Sequence, residues 1–139
     1  MRRYRVLFVC IGNACRSQMA EAFARAHGAD VVIAESAGLF PAGRISPITA
    51  LLMLEKNISL EGSVPKGLDK TGTEFYLIVN MSGERLPGFI AAPVREWDVE
   101  DPVCVPIDIH RQVRDRIETL VGELLTELRA LPPAPSNEL

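Results

Sequence analysis

The chain has 139 residues, of which 47% are hydrophobic and 24% charged, with a formal net charge of −3. That size and balance suit one globular domain with its own core, expected over residues 1–131. No apolar run is long enough to cross a membrane, and the net acidity gives no electrostatic support to nucleic-acid binding. Three cysteines, Cys10, Cys15 and Cys104, are too few for a disulfide framework and lack metal-ligand spacing. Neither metal nor cofactor is therefore expected, and a reduced, cytoplasmic setting is inferred.

Residues 4–10 (YRVLFVC) are β-branched and aromatic and read as a buried strand rather than the apolar part of a leader, despite the basic Met1–Arg5 stretch. A turn over 11–16 leads to a helix opening at Ser17 and running to about His27, closed by Gly28. Residues 31–35 form a second strand, and the strand–helix–strand order predicts a parallel sheet. A loop follows over 38–45, then a helix capped by Ser46 with Pro47 in its first turn, filled by 48–56 and ended by Asn57. Residues 58–73 read as irregular, 75–81 as a third strand, and 90–97 as a fourth that Pro93 interrupts. After an acidic, Pro-containing loop over 98–106, an amphipathic helix spans 108–131, with Ile109, Val113, Ile117, Leu120, Val121, Leu124 and Leu128 on one stripe. The prolines from Pro132 onward stop it, and 132–139 are expected to be disordered. His27 and His110 read as solvent-facing helix residues and Trp97 as a packing residue.

The chemistry concentrates in Cys10-Ile11-Gly12-Asn13-Ala14-Cys15-Arg16-Ser17. A loop entering a helix N-terminus directs several backbone N–H groups at one point, which makes a cradle for an anion. Gly12 and Asn13 tolerate the left-handed backbone such a nest uses. Arg16 offers a planar fork of donors matched to two oxyanion oxygens. Cys10 lies at the floor, where the same dipoles favour its thiolate. A nucleophile inside an anion cradle is equipped for displacement at a tetrahedral oxyanion.

The string CIGNACRSQMAEAF, with Glu35-Ser36-Ala37-Gly38 and later Asp101-Pro102, resembles the low-molecular-weight protein tyrosine phosphatase superfamily, which includes the thioredoxin-coupled arsenate reductases. The resemblance runs from Tyr4 to about Leu128. It implies a four-stranded parallel α/β sheet flanked by helices on both faces, with the oxyanion-binding loop between the first strand and first helix. It implies Cys10 as nucleophile, Arg16 on the equatorial oxygens, Ser17 donating to the Cys10 sulfur, and Asp101 as general acid and then base. Ile11, Gly12, Asn13, Ala14 and Cys15 would line the anion, with Asn13 supporting the loop through a network that reaches Ser36.

Two activities follow from the resemblance: hydrolysis of a phosphomonoester, on a phosphorylated protein or a small phosphate ester, and reduction of arsenate. The relay form of arsenate reduction needs two further cysteines after the third strand. Residues 80–88 (NMSGERLPG) contain none, so an external thiol reductant is expected in that case. Val103 and Cys104 stand where aromatic walls would follow Asp101-Pro102, and the loop after the second strand offers only Phe40, so a smaller substrate or an inorganic oxyanion is expected to fit at least as well as an aryl phosphate. In the arsenate-reductase branch Asn13, Glu21 and Ser36 match potassium-binding positions, with the Lys66 ammonium expected to stand in for the ion. Cys15 would form a protective disulfide with Cys10 or serve packing alone, and Cys104 would be an unusual resolving thiol. A non-catalytic oxyanion-binding module is the remaining reading.

Overall fold

The computed structural model describes residues 3–72, 74–88 and 90–132. In chain order its elements are β1 (Tyr4–Cys10), α1 (Arg16–Gly28), β2 (Val32–Gly38), α2 (Pro47–Leu54), a 3-10 turn at Leu68–Lys70, β3 (Leu77–Asn80), β4 (Val94–Glu96) and α3 (Ile107–Ala130). The strands form one four-stranded sheet in the order β2-β1-β3-β4, parallel throughout. This is the α/β architecture expected from the sequence.

The unbroken apolar run of β1 reflects burial on both faces. Val6 and Phe8 point into the main core, where they meet Met19 and Phe23 of α1, Met53 of α2, and Ile117 and Leu128 of α3. Leu7 and Val9 point the other way, onto Ile78 and Ala37, and that face is covered by Leu39, Leu68, Phe75 and Leu86. Helical segments thus lie on both faces, but unevenly. The three α-helices share one face and the 3-10 turn lies on the other.

Several boundaries move for identifiable reasons. β2 runs on to Gly38 because Ser36, Ala37 and Gly38 pair with Phe8, Val9 and Cys10. β4 shrinks to Val94–Glu96 because Pro93 contributes no N–H to a ladder. α2 ends at Leu54, and Asn57, at φ 60°, takes the left-handed turn expected of it. Along α3, Ile109 and Leu120 are only half-buried, while Arg114 and Leu125 are buried with the stripe. His110 is also buried, 3% exposed, contrary to the solvent-facing expectation. It precedes Val113 and Ile117 at helical spacing and so shares their inward face. His27 is exposed as expected, and Trp97 packs on Phe8 with ring centroids 5.9 Å apart. Of the expected tail, Pro132 accepts a hydrogen bond from the Tyr4 hydroxyl at 3.0 Å, and 133–139 lie outside the described residues.

β1 is followed in the sheet by β2 on one side and β3 on the other. The carboxyl ends of β1 and β3 therefore open a crevice of the kind where open α/β sheets bind ligands. Residues 11–15 fill it from the end of β1.

Candidate active site

The loop 11–15 curls tightly between the end of β1 and α1. Asn13 is its left-handed residue, at φ 51°. Gly12, expected to share that role, is not left-handed. The close approach falls instead on Gly38, at the end of β2. A Cβ there would lie 2.7 Å from the Ile11 carbonyl oxygen and 2.8 Å from the Asn13 nitrogen. The loop is further tied down by Phe40 N–H to Ile11 O, 2.8 Å, and Ala42 N–H to Gly12 O, 2.9 Å. α1 then begins at Arg16 with Cys15 as a cap that offers no side-chain hydrogen bond. The N–H groups of its first turn therefore stay turned toward the loop. Ser17, expected to open the helix, sits one residue inside it, and its hydroxyl serves another partner.

That partner is Cys10. The Cys10 sulfur lies 2.9 Å from Ser17 Oγ, and Ser17 Oγ in turn lies 2.7 Å from Asn13 Nδ2. The direction of each bond follows from one unambiguous donor. The Lys66 backbone N–H gives its hydrogen to Asn13 Oδ1 at 2.9 Å, so the oxygen of that amide faces Lys66 and its NH2 faces Ser17. Gln18 Nε2 donates to the same oxygen at 3.1 Å. Ser17 Oγ thus accepts from Asn13 and keeps its own hydrogen for a thiolate at Cys10. All four of Cys10, Asn13, Ser17 and Gln18 are buried. The hydrogen bonds of Asn13 run to Ser17, Gln18 and Lys66, whereas buried Ser36 gives its hydroxyl to Glu21. The carboxylate of Glu21 is held by Arg25 at 2.5 Å, so the cation at Glu21 is Arg25, and Lys66 enters the network through its backbone. Among the described residues no group of three or more His, Cys, Asp or Glu side chains comes together to hold a metal ion.

Arg16 is 5% exposed. Its Nη1 donates to the carbonyls of Met81 and Val99, just past β3 and β4. This pins the guanidinium plane, with its other terminal nitrogen turned to Asp101. Met81 is held in turn through Asn80, whose side chain accepts from Ser82 N–H at 3.0 Å and donates to the Glu84 carbonyl at 2.8 Å. Asp101 Oδ2 stands 3.5 Å from Arg16 Nη2, and Asp101 Oδ1 accepts from the Val103 N–H at 3.1 Å, which fixes its turn. The expected acid, the expected anion fork and the expected nucleophile thus meet at one end of the sheet.

Beside the loop opens a cleft of about 320 Å³. Its floor is Ala14 and Cys15, one wall is Arg44 to Ile48, and the other is Pro102 to Val105. Among the described residues no Phe, Tyr or Trp side chain lines it, and Phe40 is 75% exposed outside it. Cys15 and Cys104 both border this cleft. Cys15 is buried, and that burial pushes its thiol up, against hydrogen bonds from Thr49 and Ser46 that pull it down. Cys104 is exposed and left-handed at φ 61°. At the back of the cleft, His110 Nε2 lies 3.0 Å from Thr49 Oγ1.

Residues 5–132 match the family model of the low molecular weight phosphotyrosine protein phosphatases. The chain belongs to that family. It is 30% identical over 129 residues to a glutaredoxin arsenate reductase of Synechocystis, a match that covers 86% of this chain and 98% of that protein. It is 30% identical over 145 residues to a protein-arginine-phosphatase of Geobacillus stearothermophilus, covering 91% and 97% respectively. Among solved structures, an arsenate reductase in the phosphate-binding state superposes with a TM-score of 0.83 at 28% identity, over 90% of this chain and 98% of that one. For a member of this phosphatase family the chain carries features that sequence reasoning passed over. Gly38, Gln18 and His110 take their partners from distant segments: Gly38 from residues 11–13, Gln18 from the Val64 carbonyl, and His110 from Thr49. Gly38 and Gln18 left a local trace, as members of the strings Glu35-Ser36-Ala37-Gly38 and CIGNACRSQMAEAF. Among the described residues no helix is long and apolar enough to cross a membrane.

Proposed function

We propose that this member of the low molecular weight phosphatase family hydrolyses phosphomonoesters in two displacements at Cys10. The observation that carries the reading is the Cys10–Ser17 contact of 2.9 Å, directed by Asn13, at the floor of a loop that faces a helix N-terminus. In the first step the Cys10 thiolate attacks phosphorus and the ester oxygen departs, taking a proton from Asp101. Arg16 and the loop N–H groups hold the equatorial oxygens. In the second step Asp101 takes a proton from water, the water oxygen attacks phosphorus, and the Cys10 sulfur leaves as a thiolate stabilised by the Ser17 hydroxyl. The products are alcohol and inorganic phosphate. The substrate is a phosphorylated protein or a small phosphate ester, and three unpaired cysteines accord with a reducing, cytoplasmic compartment.

The test is release of p-nitrophenol from p-nitrophenyl phosphate, with Cys10→Ser as control. Turnover abolished by Cys10→Ser is the expected result. Asp101→Asn should lower turnover of an alkyl phosphate by about 10²–10⁴-fold, and less for p-nitrophenyl phosphate, whose leaving group departs without a proton. Absence of turnover with Cys10 reduced would overturn the hydrolase reading.

Arsenate reduction is the second reading, and the specific observation in its favour is that Cys15 and Cys104 border the cleft beside Cys10. There the Cys10 sulfur would displace water from arsenate. A thiol, external or that of Cys104, would then attack the sulfur, forming a disulfide and passing two electrons to arsenic as arsenite leaves. Arsenite formed in the presence of a low-molecular-weight thiol, and lost in Cys10→Ser, would select this reading.

A further inference from the structure

We propose that the cleft selects leaving groups that carry an anion, through Arg44, and rejects cationic ones. This deepens the hydrolase reading by naming the substrate class of the same site. An acid at Asp101 protonates the departing oxygen, so that oxygen lies between Asp101 and the anion loop. The chain behind it then runs along the wall that Pro102 begins. That wall and the one opposite are aliphatic, with Val103 and Val105 facing Ile45 and Ile48 across Ala14 and Cys15. Val103 is 62% and Ile48 47% exposed, so the mouth is open to an incoming chain.

The polar groups of the lining are mostly engaged. Ser46 caps α2 and accepts from Thr49 N–H, and His110 Nε2 is in contact with the Thr49 hydroxyl. Burial and the Arg114 charge push His110 down, so at neutral pH the imidazole brings no charge to the cleft. Among the described residues Arg44 is the only Arg, Lys, Asp or Glu in the lining, and it is exposed. Its guanidinium is a fork for a carboxylate carried by the leaving group. A departing guanidine, as from phosphoarginine, would meet Arg44 and Arg16 with only the Asp101 carboxylate to answer them. In this respect the cleft differs from what the name of the Geobacillus relative, a protein-arginine-phosphatase, implies for that protein. The substrate class is an alkyl phosphate with a carboxylate a few bonds from the ester oxygen, in a small molecule or in a phosphoserine peptide with an acidic neighbour.

The experiment compares two primary phosphate esters that differ only at the far carbon, 3-phosphoglycerate and glycerol 3-phosphate. Both are measured as dissociation constants on Cys10→Ser protein and as kcat/KM on the unmodified chain. The expected result is about tenfold preference for 3-phosphoglycerate in both readouts, the effect of one solvent-exposed charge-assisted hydrogen bond. Phosphoarginine should be the poorest substrate of the unmodified chain, and the preference between the two esters should fall to within about twofold in Arg44→Met. Equal affinity for the two esters, or a preference that survives Arg44→Met, would overturn the proposal. The binding arm stands even if p-nitrophenyl phosphate is not hydrolysed, so failure of the hydrolase reading is seen separately. A phosphoserine peptide followed by Asp, against the same peptide with Asn, tells the sources apart. Preference among the peptides assigns the cleft to phosphoproteins, and preference confined to the glycerate pair assigns it to small molecules.

Discussion

Ser17 has one hydroxyl hydrogen, and the groups around it decide where that hydrogen points. Because the Lys66 N–H fixes the Asn13 amide and the amide donates to Ser17, the hydrogen is reserved for Cys10. In the proposed second step the Cys10 thiolate would therefore leave into a ready hydrogen bond. Ser17→Ala removes that bond without touching phosphate recognition by Arg16. The expected outcome is a kcat lower by about 10- to 100-fold with a smaller change in KM, as befits a hydrogen bond to a charged group. Rapid-quench kinetics should show cysteinyl-phosphate accumulating as a burst before steady state, and an unchanged steady-state rate with no burst would contradict this role. Asn13→Ala acts more broadly. It strips the acceptor from the Lys66 N–H and from Gln18 and places alanine at φ 51°, so urea unfolding should show a loss of about 1–3 kcal/mol on top of the lost activity.

At the scale of elements, the loop owes its shape to the strand beside it. A Cβ at residue 38 would fall 2.7 Å from the Ile11 oxygen and 2.8 Å from the Asn13 nitrogen, both backbone atoms that no rotamer change can move aside. Gly38→Ala must push the loop off β2. The anion cradle then opens, and phosphate affinity, read by competition against p-nitrophenyl phosphate, should weaken about tenfold or more while far-ultraviolet circular dichroism stays that of a folded chain. Unaltered inhibition by phosphate would show that the loop adapts. This contact also marks the limit of what local sequence reveals. β1, the loop and α1 were legible because their signals are local: a β-branched run, turn residues, and a helix closed near Gly28. Ser46-Pro47 announced α2 for the same reason. Gly38 was read as the start of a loop, since its constraint comes from residues 11–13 across the sheet. His110 was read as solvent-facing from its polarity alone, although its spacing to Val113 and Ile117 puts it on the inward face, where it meets Thr49 of α2. The fourth strand, expected over 90–97 with Pro93 interrupting it, keeps only Val94–Glu96 in the ladder, because proline has no N–H to give to pairing.

At the scale of the whole molecule, His110 joins the cleft to the helical layer. It sits on α3, touches Thr49 on α2, and lies behind Cys15 at the head of α1. Burial first, and then the neighbouring Arg114 charge, push its imidazole below the usual value of 6.5. A base whose folded pKa is depressed binds its proton more readily when unfolded, so stability falls wherever the unfolded chain is protonated and the folded chain is not. The His110 contribution is therefore fully present above pH 6.5 and declines as pH drops from there through the depressed folded value. Thermal unfolding followed from pH 7.5 to about 5 should show Tm falling over that range in the unmodified chain. In His110→Gln, which keeps a polar side chain near Thr49 but cannot ionise, that part of the decline should be missing, although Tm at pH 7.5 is itself lower by the cost of an imperfect fit. Parallel Tm profiles for the two proteins would mean that His110 enters both states with the same proton affinity.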